Sequence, residues 1–188
     1  MGSFEQTLEY QQSLRMRPAC NRVLRDVFGI TDDQIIRFEK DDGPHVLDQE
    51  FAIDLKVLLP CGGQLSGQEK ALSHKFYKYR TFTIEFWQNR HTKEPGEWFK
   101  IASQFYLSGY SDPSGIEFAE WKIVAMLELL TWLRKCGVTK LDQKCKKSGG
   151  SRAAFLPIPY DSIPPKCIFA SGGGPGDTCV HQKVESLR

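Results

Sequence analysis

The sequence contains no C-x-x-C pair. Its six cysteines, Cys20, Cys61, Cys136, Cys145, Cys167 and Cys179, are scattered, and four of them fall late in the chain. Zinc is disfavoured by that spacing, because Cys179-Val180-His181 has no second ligand pair at a usual distance. An iron–sulfur cluster is disfavoured further, because its ligands come as a compact cysteine group. There is no charged-then-apolar leader: MGSFEQTLEYQQ is polar and acidic. Position 6 is Gln rather than Ser or Thr, so the myristoylation pattern fails. Free thiols and a cytoplasmic location are the expectation from these two absences. No long uncharged apolar run exists either. Residues 116–133, the most apolar stretch, carry Glu117, Glu120, Lys122 and Glu128, which speaks for buried structure and against a membrane span. There is little net charge, +2, so composition announces no polyanionic partner, although a local basic patch remains compatible with it. G-x-S-x-G, a local Cys–His signature and the nucleotide-binding glycine patterns are all missing, which leaves hydrolase triads and phosphate cradles unsupported. The runs SGGS and SGGGPGD do not change this, since neither follows a strand and opens a helix with a lysine. No internal repeat is found.

What is present is ordinary globular material. The chain of 188 residues, 40% hydrophobic and 26% charged, is long enough for one domain with a real core. Residues 4–28 have helical periodicity, with Leu8, Leu14, Cys20, Val23, Leu24 and Val27 able to share a face. Pro18 is expected to kink or divide that helix, and Gly29 to stop it. Residues 34–39 read as a short β-like segment. Strands are expected over 50–58, 64–71 and 80–88, the first two joined by PCGG as an antiparallel hairpin. The third alternates, with Phe82, Ile84 and Phe86 on one side and Thr81, Thr83 and Glu85 on the other. Residues 97–104 read as a short helix and 105–111 as a strand. A strand over 117–123 then leads into a helix ending near Arg134 and closed by Gly137. The order predicts an α/β sheet with packed helices over residues 1–143. Residues 144–188 hold SGGS, IPIPYDSIPP and SGGGPGD, and read as an extended or partly disordered segment draped on the body. Such a tail is a candidate docking segment for a protein partner. Trp87, Trp98, Trp121, Trp132, Phe99, Phe105 and Tyr106 are expected in the core.

One acid interrupts an apolar stretch. In FAIDLKVLL, Asp54 shares a strand face with Ala52 and Lys56, and on the next strand Ser66, Gln68 and Lys70 share one. If those strands pair, an acid, an amide oxygen and a lysine converge. A hard cation such as Mg²⁺ takes one or two carboxylates plus waters, and a neighbouring lysine can orient a water or stabilise phosphate charge. The plainer alternative is an exposed Asp54 paired with Lys56 or Lys70.

Asp54, a hairpin's gap, then Gln68-Glu69-Lys70 resembles the PD-(D/E)-x-K motif of the restriction-endonuclease-like superfamily. The element order over residues 4–135, helix, antiparallel β-meander, helix, strand, is similar to that fold's core, and the wording of the segment is similar to small phage- or plasmid-type members. The resemblance implies a metal-dependent deoxyribonuclease using Mg²⁺ or Mn²⁺. It implies that Asp54 is a metal ligand, that Gln68 stands where the second acid is commoner, and that Lys70 is the motif lysine. Glu69 could substitute for Gln68 if a bulge re-aims the strand. Glu85, and Glu9 or Glu5 on the first helix, are further ligand candidates. Members of the superfamily often dimerise, so a homo-oligomer is compatible with the resemblance. The neutral Gln68 keeps open a catalytically inactive module that binds nucleic acid or protein. Near this site, HKFYKYR supplies His74, Lys75, Tyr77, Lys78, Tyr79 and Arg80 as candidate nucleic-acid contacts, with lysines lying over an apolar surface as the alternative. The run KLDQKCKKSGGSR reads as a solvated charge run, with a grip on a nucleic-acid backbone as the alternative.

Overall fold

The computed structural model describes residues 8–38, 46–147, 152–173 and 180–181. It is a mixed α/β arrangement in which two sheets lie one over the other and helices cover the outside.

Helix α1 (Leu8–Phe28) runs through Pro18 without a break. Met16, Ala19, Cys20, Val23, Leu24 and Phe28 recur at helical spacing and are buried on one side. Pro18 itself is exposed, so its ring meets solvent rather than packed side chains. Gly29 ends the helix in the left-handed conformation, φ 65°, its N–H donating to the Arg25 carbonyl at 2.8 Å.

The larger sheet has the order β1-β2-β3-β6-β7-β10-β11, the last being the two-residue strand Val180–His181. Strands β1 (Ile35–Arg37), β2 (Leu55–Leu58) and β3 (Gln64–Leu72) form an antiparallel meander. Strand β6 (Phe105–Ser111) then lies parallel to β3, and β7 (Phe118–Ala125) returns antiparallel to it. β2 begins five residues later than the pattern suggested. Helix α2 (Val46–Phe51) and the left-handed Ala52, φ 49°, occupy the start of that segment.

The expected three-strand meander of 50–58, 64–71 and 80–88 is not what forms. Strand β4 (Thr81–Asn89) leaves the first sheet and builds a second one with β5 (Glu94–Pro95), β9 (Ala154–Pro159) and β8 (Lys146–Lys147). The reason is in the burial patterns. All seven residues of β6 are buried, so it needs neighbours on both edges and takes the free edge of β3. β4 alternates, burying only Phe82, Ile84 and Phe86, and so suits the layer above.

The stretch expected as a draped tail is also corrected over residues 152–173. AFLPIP buries Ala154, Leu156 and Ile158 against β4, and β10 (Ile168–Gly172) joins the first sheet beside β7. The two prolines do not break β9. Tyr160 N–H donates to the Arg80 carbonyl, so alternate residues face β4 and positions 157 and 159 turn their nitrogens to the open edge beyond β8. Residues 174–179 and 182–188 lie outside the described residues.

Two apolar cores result. One packs α1 against the outer face of the first sheet through Leu55, Val57, Phe105, Leu107 and Ile123. The other lies between the sheets. It includes Tyr106, Val124 and Leu156 and is closed by α3 (Met126–Arg134) and α4 (Val138–Lys144). β7 runs to Ala125, two residues past the expected end at 123, and α3 ends at Arg134 as expected. Residues 97–104 make only one 3-10 turn, Glu97–Phe99.

Candidate active site

Asp54 stands immediately before β2 and brackets Gln68 on the neighbouring strand. Its backbone N–H donates to the Gly67 carbonyl at 3.0 Å, and its Oδ2 accepts from the Glu69 N–H at 2.9 Å. Its carbonyl accepts from the Phe38 N–H, so the residue is fixed from both sides of the sheet. The polar side chain interrupts the apolar run because it closes the β2–β3 ladder at its open end.

Alternation on β3 then sorts the motif. Gln68 and Lys70 lie opposite Tyr106 and Ser108, on the face toward the second sheet. Glu69 lies opposite Leu107, on the face toward α1. There Glu69 meets Arg37 in a two-pronged pair at 2.8 and 3.0 Å, both side chains mostly buried. No register shift interrupts β3 and β6, so the bulge that would bring Glu69 round to Gln68 is absent. Glu69 is therefore a structural partner of Arg37 and leaves the convergent set.

Glu97 takes a place that sequence spacing did not reveal. Its Oε1 accepts from Gln68 Nε2 at 2.8 Å, and its Oε2 accepts from the Glu85 N–H at 3.2 Å. The preceding glycine makes this approach possible, since a Cβ on Gly96 would sit 2.7 Å from the Glu85 carbonyl oxygen. A carboxylate only accepts, so it fixes the amide with Nε2 toward Glu97. Gln68 Oε1 is then a buried carbonyl oxygen with no hydrogen-bond partner, in a residue only 5% exposed. Leaving such an acceptor unmatched costs about 1–3 kcal/mol.

Glu85 is the perturbed acid of the group. Burial raises its pKa first, the Glu97 carboxylate raises it further, and Lys70 and Lys100 oppose the shift. Lys70 Nζ lies 5.1 Å from the centre of the Phe155 ring, across β4 and β9 from Glu85. Tyr106 lies beneath, fully buried. Its phenol is pushed well above the ordinary range by burial, with Glu97, Asp54 and Glu85 adding to the shift. Glu97 thus ties Gln68 to the Glu85 backbone, Lys70 opposes the Glu85 shift, and Asp54 acts on the same Tyr106 phenol as Glu97 and Glu85. Among the described residues no three His, Cys, Asp or Glu side chains are grouped to hold a metal ion. An ion here would rely on Asp54 and the Gln68 amide oxygen, with Glu97 already engaged. One carboxylate and one carbonyl oxygen, the latter unmatched and buried, suit the oxygen-plus-water coordination of Mg²⁺. Glu9 lies on α1 and its side chain is outside the described residues, as are Glu5, His45 and Cys179.

The segment after β3 is a 3-10 helix, His74–Tyr79. Arg80 follows it with φ 41° and binds buried Glu120 through two contacts of 2.7 Å, and Asp161 at 3.0 Å. Its guanidinium is committed within the fold. Tyr77 packs on Tyr110, and the His74 N–H donates to Ser111 Oγ. Lys75, Lys78 and Tyr79 are exposed. Of the aromatics expected in the core, Trp98, Phe105, Tyr106 and Trp121 are buried and Trp87 and Trp132 partly so, whereas Phe99 is 46% exposed.

Thiol chemistry is disfavoured at the described buried cysteines. Burial raises Cys20 well above its ordinary value, Cys145 to about 11 and Cys167 upward as well, so none of the three supplies a thiolate at neutral pH. No helix among the described residues is long and apolar enough to cross a membrane. No family model matches the chain, and neither the curated proteins nor the solved structures hold a match to it.

Proposed function

We propose that this chain is a metal-dependent nuclease that hydrolyses phosphodiester bonds in DNA on a restriction-endonuclease-like core. The observation that carries the reading is the unmatched, buried Gln68 Oε1 held beside Asp54, with Lys70 on the same face. The order helix α1, meander β1–β3, then β6 parallel to β3 supports the same reading, with β4, β5 and two 3-10 helices standing where that core has a helix.

Asp54 and Gln68 Oε1 would hold Mg²⁺ or Mn²⁺. The bound ion supplies Lewis-acid polarisation of the scissile phosphate. Lys70 adds a positive charge that offsets the charge building on the phosphate oxygens and can hold the attacking water in line. Glu97 locks the Gln68 amide so that its oxygen, not its nitrogen, faces the ion. Glu85, whose pKa is raised by burial and by Glu97, is the carboxyl in this group that holds a proton most readily.

A second reading has its own support. The site has a neutral amide where an acid is commoner and no three-carboxylate group among the described residues. That favours a catalytically inactive nucleic-acid-binding module. A cleavage assay on circular single-stranded DNA and supercoiled plasmid separates the two. The nuclease reading expects cutting with Mg²⁺ or Mn²⁺, none with EDTA, and loss in Asp54→Ala and Lys70→Ala. Binding without cutting, unchanged by EDTA and by Asp54→Ala, would establish the inactive module instead.

A further inference from the structure

The segment His74–Arg80 repeats with period three, and the 3-10 helix turns that repeat into three rows. Such a helix has about 3.0 residues per turn and rises about 2.0 Å per residue, so side chains three apart stand directly above one another. His74, Tyr77 and Arg80 form the row that fixes the segment. The His74 N–H is bound to Ser111, the Tyr77 ring lies 5.8 Å from Tyr110, and Arg80 grips Glu120. The Tyr110 hydroxyl in turn donates to the Thr81 carbonyl at 2.7 Å. The other two rows are left to solvent. Phe76 is 41% exposed and Tyr79 59% exposed, one turn apart. Lys75 lies 4.9 Å from the centre of the Phe76 ring, and Lys78 lies 5.1 Å from the centre of the Tyr79 ring.

We propose that this helix is a stacking ladder for single-stranded nucleic acid. Two exposed rings stand one helical turn apart, a rise of about 6 Å, and each carries a lysine ammonium over one of its faces. The occupant this chemistry fits is a chain carrying planar groups and a negative charge at every unit. Bases stacked in a duplex offer no free face to such rings. The anchored row matters because an aromatic held in place loses little freedom on binding. The ladder begins four residues after Lys70, on the order of 13 Å along an extended chain. It rests on the nuclease reading only in naming the substrate that reaches that site, and it stands or falls on binding alone.

The test is fluorescence anisotropy in EDTA, so that no cutting enters. The probes are a labelled oligo-dT, the same length with abasic sites in place of the bases, an oligo-U and a hairpin duplex. The proteins are wild type, Phe76→Ala with Tyr79→Ala, and Lys75→Gln with Lys78→Gln. Wild type should bind oligo-dT about tenfold or more tightly than the abasic strand, from stacking on two rings. The double alanine variant should lose that difference and keep its abasic binding. The glutamine variant should bind both strands more weakly and with a shallower salt dependence. Oligo-U bound equally well means the ladder ignores the sugar, and a preference for oligo-dT narrows the class to DNA. The proposal is overturned if oligo-dT and the abasic strand bind alike, if the duplex binds more tightly than the single strand, or if nothing binds.

Discussion

Gln68→Glu places a second carboxylate where the amide nitrogen now sits 2.8 Å from Glu97, in a residue 5% exposed. Two unit charges about 3 Å apart repel by about 5 kcal/mol at an effective dielectric of 20. The protein has a cheaper state. Protonating one carboxyl of ordinary pKa at pH 7 costs about 3.7 kcal/mol, and the resulting O–H can donate where Nε2 donated. Protonation therefore wins, and the destabilisation at pH 7 is capped near 3.7 kcal/mol, a fall in Tm of roughly 7–15 °C for a chain of this length. The sign with pH follows. A carboxyl whose folded pKa is raised loses stability as pH climbs from its unfolded value toward its folded one. The deficit should shrink to about 1 kcal/mol at pH 5, where protonation is nearly free. A divalent cation at the site should also remove it, by binding the new carboxylate. Scanning fluorimetry of both proteins from pH 5 to 8, with EDTA and with Mg²⁺, reads all three effects. A variant as stable as wild type at pH 7 in EDTA would refute the Gln68–Glu97 contact and the burial on which the site is built.

Two further outcomes follow from the packing and charges around the same strand. Glu85 is held above its ordinary pKa by burial and by Glu97, so its charge opposes folding at neutral pH. Glu85→Gln should raise Tm at pH 7 in EDTA, with the gain fading as pH falls toward 4, while slowing cleavage. Gly67→Ala drives a Cβ to 2.2 Å from the Phe105 ring, which is fully buried and packed on Phe28 at 5.1 Å. That ring has nowhere to retreat, so the cost should approach about 3 kcal/mol, or roughly 6–12 °C in Tm. An unchanged Tm would mean that β3 and β6 do not pair in this register.

The parts legible in the sequence are those whose cause is local. Helix α1 follows from apolar spacing and Gly29, and the succession of β7 and α3, though not their boundary, from the pattern over 117–134. The β2–β3 hairpin follows from the turn at Pro60-Cys61-Gly62-Gly63. Partner choice is not local. Alternation identifies β4 as a strand, but only the wholly buried β6 explains why β4 sits in another sheet. The prolines of AFLPIP suggest a coil by composition, yet their positions leave every inward ladder bond of β9 intact. Glu69 was readable, since plain alternation puts it opposite Gln68 and Lys70. Glu97 was not, because a one-turn helix brings it to Gln68 across 29 positions, with only the neighbouring Gly96 as a local trace. The same holds for Arg80, whose partners Glu120 and Asp161 lie far along the chain.

The central claim is that Asp54 and the Gln68 oxygen together hold a divalent ion. Calorimetric titration of Mn²⁺ into wild type, Asp54→Ala and Gln68→Leu tests it most directly, with circular dichroism confirming that each variant is folded. One saturable site in wild type, weakened in both variants, is the predicted result. No binding by wild type, or equal binding by all three, would contradict the claim.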